Sequence, residues 1–220
     1  MMQAHEIIPQ NNDWVTIVFL VIFIFLAASK VLYKDRLWHL NMLFISKKYF
    51  LLFFDKSKSN LSNLFQTLLF VVQLLVLAMV LFIANEHYQI WETIKTLNDY
   101  LLIVLGIGLY FCFKYITGFI LGYIFNYTKE QVKITYDKVN YFNNLILWLL
   151  PFLLLSVYAK NYNFTLFKLT IFAAFFLLIL RYVLVFVNNK KLIFSNLFYF
   201  ILYLCALEIA PLIIISKLTI

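Results

Sequence analysis

The sequence predicts an all-α protein: a polytopic integral membrane bundle of six transmembrane helices, with both termini on the non-cytoplasmic side. Three observations predict it. Hydrophobic residues make up 65% of the 220 and charged residues only 13%, against roughly 45–50% and about 25% in soluble domains. Six apolar stretches, centred near Phe23, Leu74, Leu109, Leu150, Phe175 and Leu202, each supply the roughly 20 residues that a helix needs to cross hydrocarbon. Finally, the lysines and arginines fall on one side of the membrane that these stretches define.

The first span is expected at about Trp14 to Tyr33. Its apolar run ends in Ala27, Ala28 and Ser29, which resembles a signal-peptide cleavage site. The tail before it holds Glu6 and Asp13 but no Lys or Arg, whereas a signal peptide needs a basic start. A retained helix is therefore expected. The remaining spans fall at about Leu64 to Ala84, Tyr100 to Phe125, Tyr141 to Ala159, Phe164 to Val187 and Leu192 to Ser216. Six spans and their connections use nearly the whole length, so 1–220 reads as a single integral membrane domain.

Orientation follows the cations. Lys30, Lys34, Arg36, Lys47, Lys48, Lys56 and Lys58 follow span one, Lys129, Lys133 and Lys138 follow span three, and Lys190 and Lys191 follow span five. That places twelve of the 18 on one side, against Lys95, Lys160 and Lys217 on the other. The positive-inside rule puts the three basic loops in the cytoplasm. Anionic membrane lipids then account for the formal net charge of +8, and nucleic acid is not an expected partner.

The first basic loop, 34–63, is the longest. Residues 37–54 are apolar and aromatic with Lys47 and Lys48 between, a pattern that suits a helix lying in the headgroup plane. An ordinary packed loop helix fits the same residues.

Charges inside spans are costly, at least about 2.5–3.5 kcal/mol at the bilayer centre, so each needs an account. At about 1.5 Å per residue, Lys168 lies roughly 6 Å, Glu208 roughly 12 Å, Lys114 about 21 Å and Arg181 about 25 Å below the outer ends of their spans. Arg181 is long enough to snorkel to the cytoplasmic headgroups. Glu208 is short and precedes Pro211, which frees a backbone carbonyl near Leu207. A Glu208–Lys168 contact is expected, with Lys114 the next cation in depth. Such a pair either fixes helix register or serves as a proton or ligand site.

Gly118 and Gly122 form a small-xxx-small pair suited to close helix packing. Gly106 and Gly108 sit in an apolar span, so the dinucleotide fingerprint does not apply. Catalysis finds little support. His5, His39 and His87 lie outside the spans and no His-Glu-x-x-His occurs, so no metal or other cofactor is expected. Cys112 and Cys205 read as lone, packed thiols.

The string Tyr199-Phe-Ile-Leu-Tyr203-Leu-Cys205-Ala-Leu-Glu208-Ile-Ala-Pro211-Leu212 resembles the hallmark of an uncharacterised multi-pass membrane family of Bacteroidota, catalogued as a domain of unknown function. Lys114-Tyr-Ile-Thr-Gly118 with Gly122, and Leu150-Pro151, are similar to weaker positions of that family. The resemblance implies an inner-membrane protein of unknown activity. It also draws Tyr203, Cys205, Glu208 and Pro211 into one candidate site.

The expected role is that of a structural or accessory subunit in an envelope membrane assembly, with membrane lipids and other envelope proteins as partners. A small transporter or lipid-handling protein working through the Glu208/Pro211 notch is the alternative, and an intramembrane lipid-modifying enzyme the third. Oligomeric state is not legible in the residues.

Overall fold

A computed structural model describes residues 13–44, 49–50, 64–88, 96–124, 128–159 and 163–195. These form six helices: α1 (Asp13–Leu32), α2 (Lys34–Asn41), α3 (Leu64–Tyr88), α4 (Leu97–Ile124), α5 (Thr128–Tyr158) and α6 (Asn163–Ser195). All but α2 are long and apolar enough to cross a membrane, which makes five candidate spans among the described residues. The expected sixth span overlaps the last turn of α6 and otherwise lies outside the described residues.

Each long helix is continuous because its apolar run holds few breakers, and in hydrocarbon a helix alone satisfies every backbone polar group within one segment. Pro151 is the exception, sitting inside α5. It removes one amide donor where neighbouring helices must steady the backbone.

Side-chain contacts fix the directions. Trp14 meets Phe82 at one end of α1 and α3, and Tyr33 meets Phe65 at the other, so these two helices are antiparallel. Within the α5–α6 pair, Asn189 reaches Asp137 and Thr170 reaches the Phe152 carbonyl, so these too are antiparallel. A bond between the Tyr158 hydroxyl and Thr16 Oγ1, 3.1 Å long, ties α5 to α1. The main core gathers Phe19 and Ile22 of α1, Val72, Val76 and Met79 of α3, and Leu145, Leu149 and Leu153 of α5.

Helix α4 leans on the outside of this core. Phe111 packs on Phe70 and Phe142, and a Cβ built on Gly122 would stand 3.1 Å from Gln131 Cβ. Gly118 and Gly122 are both buried. One face of α4, with Leu102, Leu109 and Phe113, and much of α6, with Phe172 and Phe175, is exposed. Such surfaces suit acyl chains rather than water.

Two boundaries differ from those expected. Helix α5 begins at Thr128, thirteen residues before Tyr141, so Lys129, Lys133 and Lys138 sit on a helix and not in a loop. Similarly, α6 continues through Asn188 and Lys191 to Ser195. Hydropathy marks where apolar sequence stops, whereas a helix continues until something breaks it. Nothing in the Thr128–Asn140 or Val187–Ser195 sequences does, since neither contains Gly or Pro.

Of the first loop, residues 34–44 and 49–50 are described. Residues 34–41 form α2, and Leu40, Leu43 and Tyr49 are buried against Phe65, Leu69, Tyr136 and Tyr141. That face of the segment packs within the bundle, while Trp38 and Met42 are exposed.

Candidate functional site

Buried polar side chains collect at the basic end of the bundle, where α2 and Tyr49 meet α3, α5 and α6. Helix α5 supplies most of them. Asp137, Asn140, Asn143 and Asn144 recur at three- and four-residue spacing, which places them on adjoining faces of one helix, and all are 5% exposed or less.

Asn140 is the hub. Its Oδ1 accepts from the Tyr49 hydroxyl at 2.9 Å and from Gln66 Nε2 at 2.9 Å. Its own amide donates to the Tyr136 carbonyl at 2.8 Å, one turn back. Gln66 Oε1 then accepts from Asn143 Nδ2, and Arg36 Nε donates to the Tyr49 oxygen at 3.3 Å. One network therefore joins α2, Tyr49, α3 and α5.

A second set joins α5 to α6. Asn189 Nδ2 donates to Asp137 Oδ2 at 2.9 Å and to the Val185 carbonyl at 3.1 Å. Asn188 donates to the Tyr141 hydroxyl.

Electrostatics favour a charged arginine beside a neutral phenol. Burial is the main cause pushing the Tyr49 phenol above its ordinary value, with Tyr136 adding to the rise and Arg36 opposing it. For Arg36 burial acts to lower the value, but interactions with Tyr49 and Tyr136 outweigh it and the guanidinium ends above its ordinary range. Its charge also lies 4.7 Å from the Phe65 ring centroid, a cation–π contact of the kind that strengthens on desolvation.

Some buried groups have no hydrogen-bond partner among the described residues. Asn144 is fully buried, and neither its Nδ2 nor its Oδ1 has a hydrogen-bond partner among the described residues; the same holds for Asn143 Oδ1, Asn189 Oδ1 and Ser29 Oγ. Unmade bonds of this kind cost about 1–3 kcal/mol each.

The residues singled out from the sequence fall elsewhere. Tyr203, Cys205, Glu208 and Pro211 lie outside the described residues, and with them the expected Glu208–Lys168 contact. Lys168 is exposed, its Nζ 4.1 Å from the Phe164 ring centroid. Lys114 is half-buried on α4, 5.8 Å from the Tyr110 ring. Arg181 is half-buried, set over the Phe142 ring at 4.6 Å, and its Nη2 donates to the Lys138 carbonyl towards the basic end. No group of three or more metal-ligating His, Cys, Asp or Glu side chains occurs among the described residues.

The α5 asparagines were not among the expected site residues, although a signal for them exists. Once Thr128–Tyr158 is read as one helix, Asp137, Asn140 and Asn144 mark a polar stripe in register with the apolar Tyr141, Leu145 and Leu149. Starting the span at Tyr141 cut that stripe in two.

Five helices long and apolar enough to cross a membrane among the described residues, with buried polar side chains between them, are the arrangement of a multi-pass membrane protein. The chain belongs to the family described as Domain of unknown function (DUF4271), whose model matches residues 15–219. No curated protein and no solved structure matches it.

Proposed function

We propose that this protein is a non-catalytic subunit of an envelope membrane assembly, held in the inner membrane with its basic end in the cytoplasm. The resemblance of its C-terminal string would place it in a bacterium of the Bacteroidota. One observation carries the reading. Buried Arg36, Asp137, Asn140, Asn143 and Asn189 are bonded across helices, in the Arg36–Tyr49–Asn140–Gln66–Asn143 and Asp137–Asn189 chains. Polar groups used this way lock helix register, and in a low-dielectric interior they specify one arrangement. A rigid body with apolar flanks on α4 and α6 suits a scaffold.

The test is purification of the chain at native level from its own membrane in a mild detergent. A stable protein partner in constant ratio supports the reading. Recovery of the chain alone from membranes that retain their other complexes refutes it.

Asn144 favours a second reading. A fully buried amide with neither group bonded among the described residues is a place where a small polar ligand would complete the set, as a transporter or lipid-handling protein requires. Loss of a specific solute or lipid flux in Asn144→Leu, with the bundle intact, would favour that role over the scaffold.

A further inference from the structure

We propose that α2 and the turn after it form a re-entrant element: residues 34–44 enter the bilayer from the basic face, and the side chains of Trp38 and Met42 contact the acyl chains of that leaflet. The inference rests on the membrane reading of the fold and is independent of the scaffold role.

The depth is set by contacts along α5. At its start, α2 stands at the level of Phe65, against which both Tyr33 and Arg36 pack. That level on α3 matches Asn140 on α5, because neighbouring Gln66 bonds Asn140. At its end, α2 offers the Asn41 carbonyl to Trp148 Nε1 at 3.2 Å. Trp148 lies eight residues beyond Asn140, about 12 Å further along the helix axis. Side chains lean towards a helix N-terminus, so the indole reaches back part of that distance. The end of α2 still lies roughly one to two turns further into the bundle than its start.

Beyond α2 the chain comes back. Phe44 stacks on Tyr141, and Tyr49 reaches Asn140 and Tyr136. Both feet of the element therefore meet the polar layer, and its far end lies above it.

Where the bilayer sits follows from two helices. Counting about 20 residues, the span of the hydrocarbon, back from Tyr158 on α5 reaches Lys138 and Val139. On α3 the apolar run begins at Leu64, just before Gln66. Both estimates place the boundary at the polar layer, so the end of α2 is inside the hydrocarbon.

The sequence of α2 fits that path. Lys34, Asp35 and Arg36 occupy the entering end, and Leu37, Trp38, Leu40, Met42, Leu43 and Phe44 follow. One face is used within the protein, since Leu40 and Leu43 are 0% and 1% exposed. The other is uncovered: Trp38 is 61% and Met42 41% exposed. Large apolar groups bared on a segment inside the bilayer boundary contact lipid. Non-helical backbone at such depth is tolerated when protein satisfies it. Here the Met42 and Leu43 amides donate to Trp38 and Leu40 carbonyls, and Trp148 caps Asn41.

The experiment is site-directed spin labelling in lipid nanodiscs, on a chain with Cys112 and Cys205 replaced by alanine. Labels are placed in Lys34→Cys, Trp38→Cys and Met42→Cys. The expected result is a higher ratio of oxygen to nickel-chelate collision at 38 and 42 than at 34, by several-fold. A ratio at 38 and 42 equal to that at 34, in water or at the headgroups, overturns the proposal. Should the labelled variants fail to fold, acyl-brominated lipids probe the wild-type chain directly: quenching attributable to Trp38, read as the difference from Trp38→Phe, is expected, and its absence overturns the proposal.

Discussion

Replacing Asn140 by leucine tests the polar layer at its hub. Leucine keeps the approximate volume but removes the acceptor used by the Tyr49 hydroxyl and the Gln66 amide, and the donor to the Tyr136 carbonyl. Two buried donors lose their partner at about 1–3 kcal/mol each. The carbonyl keeps its helical bond and adds little. Groups in membrane proteins often find substitute partners, and measured interhelical bonds average about 0.6 kcal/mol, so the expected loss lies between about 1 and 4 kcal/mol. A double-mutant cycle separates the hydrogen bond from the packing. Tyr49→Phe alone removes one donor, and after Asn140→Leu that donor has already lost its Asn140 acceptor. Combined, the two changes should cost less than their sum by about 0.5–1.5 kcal/mol. Equilibrium unfolding in bicelles, titrated with denaturing detergent, measures all four species. A coupling energy near zero, or a cost for Asn140→Leu below about 0.3 kcal/mol, would refute the claim that this layer holds the helices together.

Other expected outcomes follow from single contacts. Gly122→Val forces side-chain atoms onto Gln131, which a Cβ would already meet at 3.1 Å; overpacking of this kind costs about 1–3 kcal/mol, read as a lower unfolding midpoint, with Gly106→Val, where a Cβ meets nothing within 4 Å, nearly neutral. Trp148→Phe deletes the bond to the Asn41 carbonyl and should lower stability by about 1 kcal/mol, read as a lower unfolding midpoint. The raised Tyr49 phenol gives a pH signature with a fixed sign. Its ordinary value is 10.0 and burial lifts it in the folded chain, so the unfolded phenol ionises first. The stabilisation is complete below about pH 10 and declines as pH rises beyond it. Tyr49→Phe should flatten that alkaline decline, as followed by unfolding midpoints between pH 8 and pH 11; an unchanged slope would show that Tyr49 is not the group responsible.

Five helices were legible because membrane-spanning sequence announces itself by apolar length, and the Val15–Ala28 and Leu64–Ala84 stretches leave little alternative. Their ends were less so. Lys129, Lys133 and Lys138 interrupt the apolar pattern and hydropathy alone ends the span there, although Thr128–Asn140 contains no Gly or Pro to stop a helix. The same reasoning ended span five at Val187, while α6 runs on to Ser195. The polar layer depends on contacts distant in sequence, such as Tyr49 with Asn140 and Asp137 with Asn189, 91 and 52 residues apart. Local pattern cannot show these. It can show that Asp137, Asn140 and Asn144 share a stripe, but only once the helix is drawn long enough to contain all three. Charged residues stand out in an apolar sequence, whereas the buried layer is built mostly from neutral amides.

Unequal helix lengths bear on how the molecule answers to its lipid. Helices α5 and α6 have 31 and 33 residues, about 46 and 50 Å of rise, well beyond the roughly 30 Å of hydrocarbon. A thicker or thinner membrane slides along that pair without straining it. Helix α1 has 20 described residues, about 30 Å, close to the hydrocarbon thickness itself. Thickness mismatch is relieved by tilt or local deformation at fractions of a kcal/mol per Å, and in this bundle that load falls on α1 and passes through Tyr33 to α2.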